Sequence, residues 1–310
     1  MRDENIIQTI FPYYTAELSR LDKENKKFAY YTDLLTTTSI IKNKTIWLRN
    51  VMCMNDYTEV RQGLNLLRGY LIKNDFYRNQ LITVLSEIGK DQKYWENILN
   101  ELLDKNESAY FFNTYIACFT EHENEDVNGN LNMFRTYGRN KGAAMIFSAD
   151  TILDSQITIS RVLYCDELDF EKYLKQFIDS LQDNINILHN MEFNNFENLL
   201  KQAILFAILS IKNPAFKEEN EWRIIYCDKI LNNPINKQLY ELDVEVINGL
   251  PQKVYKLKLG KLNLKKCVEK IIIERIPDCS VAKMSLEYCL EKYGFKSGIV
   301  KISEIPIRSW

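Results

Sequence analysis

The order of strand-like and helix-like segments is the feature that most constrains the fold. Short runs rich in β-branched and aromatic residues, such as 28–32, 110–119 and 221–227, predict strands. Between the strands lie stretches with helical periodicity. Two of them, at about 57–105 and 169–211, are far longer than the helix of a regular strand–helix–strand unit. This unequal spacing argues against a regular parallel α/β fold. It predicts an α+β fold with a largely antiparallel or mixed sheet.

Length and composition indicate the domain organisation. The 310 residues are 46% hydrophobic and 26% charged, which is ordinary for a globular protein. Neither an internal repeat nor a low-complexity linker interrupts the chain. We therefore expect a single domain over residues 1–310, with the two long helical stretches as insertions.

Charge and cysteine usage exclude several classes of protein. The formal net charge is -2, so no global basic field points to nucleic acid. The 7 cysteines do not form CxxC pairs and there are only 2 histidines, so no metal is expected. Scattered single cysteines are typical of a reducing compartment. The chain has no signal-peptide pattern and no apolar run of membrane-spanning length, so we expect a cytoplasmic protein without a membrane partner.

Familiar catalytic motifs do not occur. The sequence has no GxGxxG, no P-loop, no HExxH and no GxSxG. His122 lies in a predicted polar loop and His189 in an Asn-rich helix, so both are interpreted as surface histidines.

One stretch does combine carboxylates with a rigid element. Glu219 and Glu221 stand two apart where a charged loop enters the apolar run that continues to Tyr226. In an extended chain, residues two apart point to the same face, so the two carboxylates are expected to project together. Trp222, Ile224 and Tyr226 would then be buried on the opposite face. The alternative is a solvated acidic loop before an ordinary strand.

Further candidate residues are aromatic, polar or basic. Aromatic walls near a carboxylate suit a flat ligand such as a nicotinamide or a nucleobase, whereas the alternative for the aromatic residues is core packing. Arg49, at the end of a further strand predicted at 45–49, is a candidate phosphate contact, with a surface arginine as the alternative. The basic run from Lys253 to Lys266 is a candidate face for RNA or DNA, with a solvated face as the alternative. The candidate ligand-binding residues are Tyr30, Tyr31, Thr32, Arg49, Asn55, Asp56, Phe134 and Tyr137.

The order of these motifs resembles the DUF2971 family of bacterial domains. That family's pattern is a His-Tyr-Thr strand end, an "lWls" strand, an Asn-Asp-Pro-x-Glu turn, a Cys-Phe-Ser strand end, a Leu-Trp-x-x-Tyr helix followed by Lys-Gly, and a Glu-x-Glu-Trp-Arg strand. The matching segments in this chain are Tyr30–Thr32, Ile46–Leu48, Asn55–Glu59, Cys118–Thr120, Met133–Tyr137 with Lys141–Gly142, and Glu219–Arg223. Tyrosine replaces the family histidine at position 30, and phenylalanine replaces tryptophan at position 134.

The resemblance implies a fold and an activity. The family looks like a branch of the ADP-ribosyltransferase fold, a split and largely antiparallel β core that binds NAD as co-substrate. By this resemblance Glu221 is the catalytic glutamate, which holds a ribose hydroxyl and stabilises the oxocarbenium ion as nicotinamide leaves. Glu219 then positions or deprotonates the acceptor. Tyr31 contributes to the nicotinamide wall, and Tyr30 occupies the position of a ribose contact.

The implied role is that of a bacterial toxin or anti-phage defence effector. Such a protein transfers ADP-ribose to a macromolecule, RNA, DNA or protein, and is expected to have an antitoxin or another regulatory protein as partner. Two alternatives remain open on the same fold. One is an NAD glycohydrolase, in which water is the acceptor, and the other is a non-catalytic module that binds a ligand or another protein.

Overall fold

A computed structural model describes residues 12–24, 26–53, 57–105, 111–139, 141–153, 157–227 and 238–305. These residues form a mixed α+β fold around one large sheet, and nearly all of its strand pairs are antiparallel. The exception in this sheet is the parallel pairing of the strands Val268–Ile273 and Val300–Ile302. The predicted fold class, α+β with a largely antiparallel sheet, is therefore confirmed at this level.

The strands are labelled β1 to β12 in chain order. They are β1 Lys27–Asp33, β2 Thr45–Asn50, β3 Thr114–His122, β4 Gly142–Ser148, β5 Ile159–Arg161, β6 Leu163–Tyr164, β7 Ile211–Lys212, β8 Glu221–Cys227, β9 Tyr240–Ile247, β10 Leu250–Lys258, β11 Val268–Ile273 and β12 Val300–Ile302. The sequence pattern also predicts a strand at 157–164, which the structure divides into β5 and β6, and a last strand at 299–307. Among the described residues this last strand is confined to the short β12.

The helices are labelled α1 to α12 in the same way. They are α1 Pro12–Lys23, α2 Leu34–Asn43, α3 Tyr57–Leu71, α4 Asp75–Ile88, α5 Gln92–Asn100, α6 Leu131–Tyr137, α7 Ala149–Leu153, α8 Glu167–Asp183, α9 Ile185–His189, α10 Phe193–Ser210, α11 Leu264–Cys267 and α12 Cys279–Tyr293. A π-helical turn, Glu101–Lys105, follows α5, and short 3₁₀ turns lie at Val51–Cys53, Pro214–Glu219 and Leu259–Lys261. In the described part of the chain, none of the helices has both the length and the apolar character needed to span a bilayer.

The sheet divides around β3. Strand β8 pairs with β3 along one edge, from Thr114 to Thr120. On the other edge, β1 pairs with the last three residues of β3, and β2 pairs only with Tyr115 and Ile116. Within the described residues, Ala117, Cys118 and Phe119 therefore have no strand partner on that edge. The result is a fork, in which β1 continues with β4, β11 and β12 while β2 continues with β10 and β9.

The two faces of the sheet carry different groups. Residues directly opposite each other in an antiparallel pair point to the same face. Thr120 lies opposite Glu221 and Cys118 lies opposite Arg223, and we call the face that carries these four residues the site face. The opposite face carries Phe119, Trp222 and their neighbours, which pack with α2 and α12 in a large apolar core.

On the site face, the apolar packing is in two separate clusters. One cluster contains the inner sides of the helices from both predicted insertions, and it covers the sheet at Ile116 and Ile225. The other cluster packs α6 against β1, β4 and β11 through Tyr31 and Phe134. The two insertions thus pack on each other as one helical layer. Gly63 of α3 is needed there because a Cβ atom would collide with the carbonyl group of Ile208 in α10.

Candidate active site

Glu221, the first residue of β8, holds a carboxylate between the two apolar clusters. Its side chain is only 6% exposed. Arg223, two residues further along the same face, donates to both oxygens, from Nε to Oε1 at 2.7 Å and from Nη2 to Oε2 at 3.1 Å. The Nη1 group of Arg223 also donates to the carbonyl group of Leu209 at the end of α10. This fork-to-fork geometry fixes the orientation of the carboxylate.

A second cation reaches the same carboxylate from β7. Lys212 is 3% exposed, and its Nζ group donates to Oε2 of Glu221 at 3.1 Å and to Oε2 of Glu219 at 2.7 Å. The parallel pairing of β6 with β7 places Tyr164 opposite Lys212. The hydroxyl group of Tyr164 accepts the backbone N–H of Glu221 at 2.9 Å. The two short strands therefore position Tyr164 and Lys212 in contact with Glu221, at the start of β8.

These contacts determine the ionisation state of Glu221. Burial acts to raise its pKa, but the charge and hydrogen bonds of Arg223, the charge of Lys212 and a hydrogen bond from Cys118 outweigh burial. Together they lower the pKa to about 2. The carboxylate is therefore ionised throughout the physiological range.

Glu219 meets Glu221 by a different route from the one predicted. The two residues do not lie on one extended strand, because Glu219 ends a 3₁₀ turn and β8 begins at Glu221. Between them, Asn220 adopts a left-handed conformation with φ 44° and ψ 52°. The prediction from alternation is therefore wrong in its reason, although both carboxylates do converge, on Lys212. Asn tolerates this backbone region better than most residues.

A network behind β8 holds Asn220 in place. Its side-chain oxygen accepts from Nη2 of Arg161 at 2.9 Å, and its carbonyl group accepts from the N–H of Glu121 at 2.9 Å. Glu121 is itself paired with Arg20 of α1, at 2.8 and 2.6 Å, and accepts from the indole N–H of Trp222 at 3.3 Å. Helix α1 is thereby tied to the turn that carries the two candidate carboxylates.

Tyr137, the last residue of α6, lies beside these carboxylates. The pKa of its phenol is raised, mainly by burial. The charge of Glu219, the thiol of Cys118 and the charge of Glu221 raise it further, in that order. Helix α6 is held over the sheet by Tyr31, whose hydroxyl group accepts from the N–H of Asn130 at 2.8 Å. The ring of Tyr31 contacts that of Phe134 edge to face, at 5.2 Å between centroids. Tyr31 and Phe134 are thus placed in the packing beneath α6, and Tyr137 is close enough to Glu219 and Glu221 for their charges to act on its phenol.

The fork places a second group of predicted residues nearby. Tyr30 packs its ring against Phe119, at 5.4 Å between centroids, so the ring lies with the apolar core of the opposite face and not on the site face. Burial raises the pKa of Tyr30 to about 12, Cys118 also raises it, and the charge of Arg49 lowers it. Its neighbour Thr32 is half-buried and pairs with Ala143 of β4. Burial, followed by the charge of Glu221, raises the pKa of the Cys118 thiol well above its usual value.

Arg49 lies on the site face because it pairs with Ile116. Its Nη2 group donates to the carbonyl group of Cys53 at 2.7 Å and to Gln252 at 3.4 Å. Its Nε atom is buried and finds no acceptor among the described residues. A buried guanidinium donor without an acceptor suits an anionic ligand. We call the residues Arg49, Cys118, Thr120, Glu221 and Arg223 the polar strip.

Other predicted residues lie elsewhere. Asn55 and Asp56 fall outside the described residues. His122 is not a surface residue as predicted: it ends β3, is 3% exposed and pairs with Lys27 of β1, and burial lowers its pKa. Within the basic run, Lys256 is paired with Asp243 and Glu245 of β9.

The remaining lysines of that run differ in exposure. Lys258 is paired with Glu241, and Lys253, Lys265 and Lys266 are exposed. Among the described residues, His, Cys, Asp and Glu side chains do not assemble into a group that could hold a metal ion.

Sequence reasoning missed three contributors to the site. Lys212 directly follows the helical stretch predicted at 169–211 and precedes Asn213 and Pro214, so its position indicates only the end of a helix. Cys118 stands among apolar residues, a pattern that indicates a core residue, and Tyr164 belongs to no motif. All three reach Glu221 through strand pairings that are distant in sequence.

Part of the chain is similar to a known family of proteins. The model of a family described as a protein of unknown function, DUF2971, matches residues 133–224. This segment begins in α6 and ends in β8, so it contains Tyr137, Glu219 and Glu221 but not the strands of Tyr30 and Arg49. The match supports the family resemblance for this segment. No curated protein and no solved structure matches the chain.

Proposed function

We propose that this protein is an NAD-dependent ADP-ribosyltransferase that modifies a macromolecule, with the role of a bacterial toxin or defence effector. The observation that carries the proposal is the polar strip next to the fork of β1 and β2, which includes the ionised carboxylate of Glu221. A split sheet of this kind agrees with the family resemblance. It leaves a gap between β1 and β2 on one edge of β3, and Glu221 lies opposite Thr120 on the strand that pairs with the other edge.

The proposed chemistry uses the charge of Glu221. Loss of nicotinamide leaves positive charge on the ribose, and a fixed anion stabilises that charge without having to reorganise. An ionised carboxylate has about four acceptor positions. Here they are directed at Arg223, Lys212 and Cys118. The thiol of Cys118 is the weakest of these donors. We therefore propose that the ribose hydroxyl replaces this thiol as a hydrogen-bond donor to the carboxylate.

Glu219 is proposed to act on the acceptor. Its side chain is 19% exposed, compared with 6% for Glu221, and its carboxylate accepts from Nζ of Lys212 at 2.7 Å. A more accessible carboxylate beside the first is the appropriate place for a base that takes the proton of an attacking hydroxyl or amine. The acceptor then bonds to the ribose carbon that nicotinamide leaves, and its proton passes to Glu219.

One observation favours a second candidate function, a non-catalytic module that binds NAD or a related nucleotide. The donors around Glu221 come from the protein itself, and a bidentate arginine is a strong competitor for a ribose hydroxyl. In this alternative the Glu–Arg–Lys cluster orients β8 and Arg49 binds the phosphate, without cleavage.

The test is incubation with NAD labelled in the adenylate phosphate, together with RNA, DNA or a protein mixture. Nicotinamide release and label on the macromolecule are both measured. We expect both from the native protein and neither from Glu221→Gln, and Glu219→Gln should lose the transfer while nicotinamide release continues. Glu218→Gln, which changes an exposed carboxylate in the same turn, is the matched control.

The outcomes separate the candidates. Release of nicotinamide without labelling of any acceptor identifies a glycohydrolase. Binding of NAD in calorimetry without release of nicotinamide identifies the non-catalytic module. Because Glu221→Gln also removes a buried ion pair, its fold is checked by circular dichroism before its inactivity is attributed to chemistry.

A further inference from the structure

Trp47 is a prominent aromatic side chain that the proposed chemistry does not use. It lies in β2 two residues before Arg49, so both side chains point to the site face. Its neighbours Ile46 and Leu48 are buried in the core on the opposite face. Strand β2 is therefore anchored without Trp47.

The surroundings of Trp47 are polar. It belongs to none of the apolar clusters formed by the described residues, and it is half-buried. By contrast, Trp95 and Trp222 are each 0% exposed, and their indole N–H groups are bonded, to the carbonyl group of Gly89 and to Glu121. A large aromatic ring among polar residues on a sheet surface is better suited to stacking on a ligand than to packing in a core, and we call this ring the platform.

Lys256 gives this platform a fixed charge. It lies opposite Trp47 on β10, and its Nζ atom is 5.7 Å from the centroid of the indole. Asp243 and Glu245 of β9 hold the ammonium group at 2.6 and 2.5 Å. The lysine is thereby kept over one face of the ring, where its charge is paired with two carboxylates of the chain, so we place a stacked ligand on the other face.

We propose that Trp47 stacks on the base of a purine nucleotide whose phosphate is bound by Arg49. Residues two apart in a strand are separated by about 7 Å, a distance comparable to that between a nucleotide's base and its 5′ phosphate. The Nε atom of Arg49 is the donor that lacks an acceptor among the described residues. The inference rests on the proposed function in taking the ADP half of NAD as this nucleotide. Its test does not require catalysis.

The experiment is titration calorimetry of the full chain with ADP-ribose and, separately, with inorganic pyrophosphate, which has no base. Trp47→Leu should weaken ADP-ribose binding by about ten-fold or more, because base stacking on an aromatic side chain contributes that much, and should leave pyrophosphate binding unchanged. Trp47→Phe should retain most of the affinity. Arg49→Gln should weaken both ligands. Lys253→Ala, an exposed lysine on the other face of β10, is the matched control.

Three results of the binding experiment would overturn the inference. They are no binding of ADP-ribose to the native protein, no effect of Trp47→Leu, and equal weakening of both ligands by Trp47→Leu. The last result would mean that Trp47 only supports Arg49. If ADP-ribose binds in a Trp47-dependent way but NAD is never cleaved, the inference stands and the transferase fails. If NAD is cleaved equally well by Trp47→Leu, the transferase stands and the inference fails.

Discussion

The ion cluster at Glu221 makes a quantitative prediction about stability. The isosteric change Glu221→Gln removes the anion but leaves Arg223 and Lys212, whose side chains are 3% and 4% exposed. Removing one partner of a buried pair leaves an uncompensated charge, so the free energy of unfolding at pH 7 should fall by about 3–5 kcal/mol. Lys212 keeps its contact with Glu219, which places the expected value toward the lower end of that range.

The same change should alter the pH dependence of stability. The folded-state pKa of Glu221 is about 2, below the ordinary value of 4.5. A carboxyl group with a lowered pKa stabilises the fold above its unfolded pKa, and this stabilisation is lost as the pH falls toward the folded pKa. The lowering corresponds to about 3 kcal/mol, of which about 2 kcal/mol should be lost by pH 3.

Urea unfolding followed by circular dichroism at pH 7, 5, 4 and 3 measures both effects. The difference between the native protein and Glu221→Gln should be nearly constant from pH 7 to 5 and should shrink below pH 4.5. Glu218→Gln, on the exposed side of the turn, should parallel the native protein at every pH. A difference below about 1 kcal/mol at pH 7, the size expected of an exposed pair, would refute the buried cluster. A difference that does not shrink between pH 5 and 3 would refute the lowered pKa.

Two further predictions concern packing and a buried histidine. Gly63→Ala should lower the free energy of unfolding by about 1–3 kcal/mol, because its Cβ would meet the backbone of Ile208. Gly69→Ala in the same helix, with nothing within 4 Å, should be neutral or raise it by up to about 1 kcal/mol, and urea unfolding of both variants checks the contrast. His122, whose pKa is lowered by burial, should make the native protein lose stability as the pH falls below 6.5, since the unfolded chain then binds the proton more strongly. His122→Gln should remove that slope between pH 7 and 5, and an unchanged slope would contradict it.

Local pattern was enough to predict most elements, because propensity and alternation act within a few residues. The bounds of β8 were predicted correctly from an alternating run in which Trp222, Ile224 and Tyr226 pack in the core on one face. Predictions failed where tertiary pairing decides the outcome. His122 follows a strand and precedes polar residues, so it was predicted to lie in a loop, but its pairing with Lys27 extends β3 and buries it.

Prediction of the candidate site also succeeded where local pattern decides and failed where tertiary pairing decides. Glu221 was predicted as a site residue from its sequence, whereas Lys212 was not, because the β6–β7 pairing that brings it to Glu221 is not encoded locally. Glu219 was included for the wrong geometric reason. One residue in the left-handed region, Asn220, is sufficient to break the alternation on which the prediction relied. The fork itself depends on which residues of β3 pair with β1 and which pair with β2, and no local pattern specifies those pairings.

The energetic cost of the polar strip bears on how it is interpreted. A buried ion pair is weak evidence for stability, since apolar residues of similar volume often serve equally well or better. On the site face such residues were available on both sides, because apolar clusters flank the strip. A chain selected only for stability would have reason to join the two clusters through Cys118 and Arg223. Instead it buries a glutamate, an arginine and a lysine at the site face of a split sheet, which also carries an arginine donor without an acceptor among the described residues. Departures from local energetic preference are expected at functional sites, and this strip is therefore the most informative place to look for a ligand.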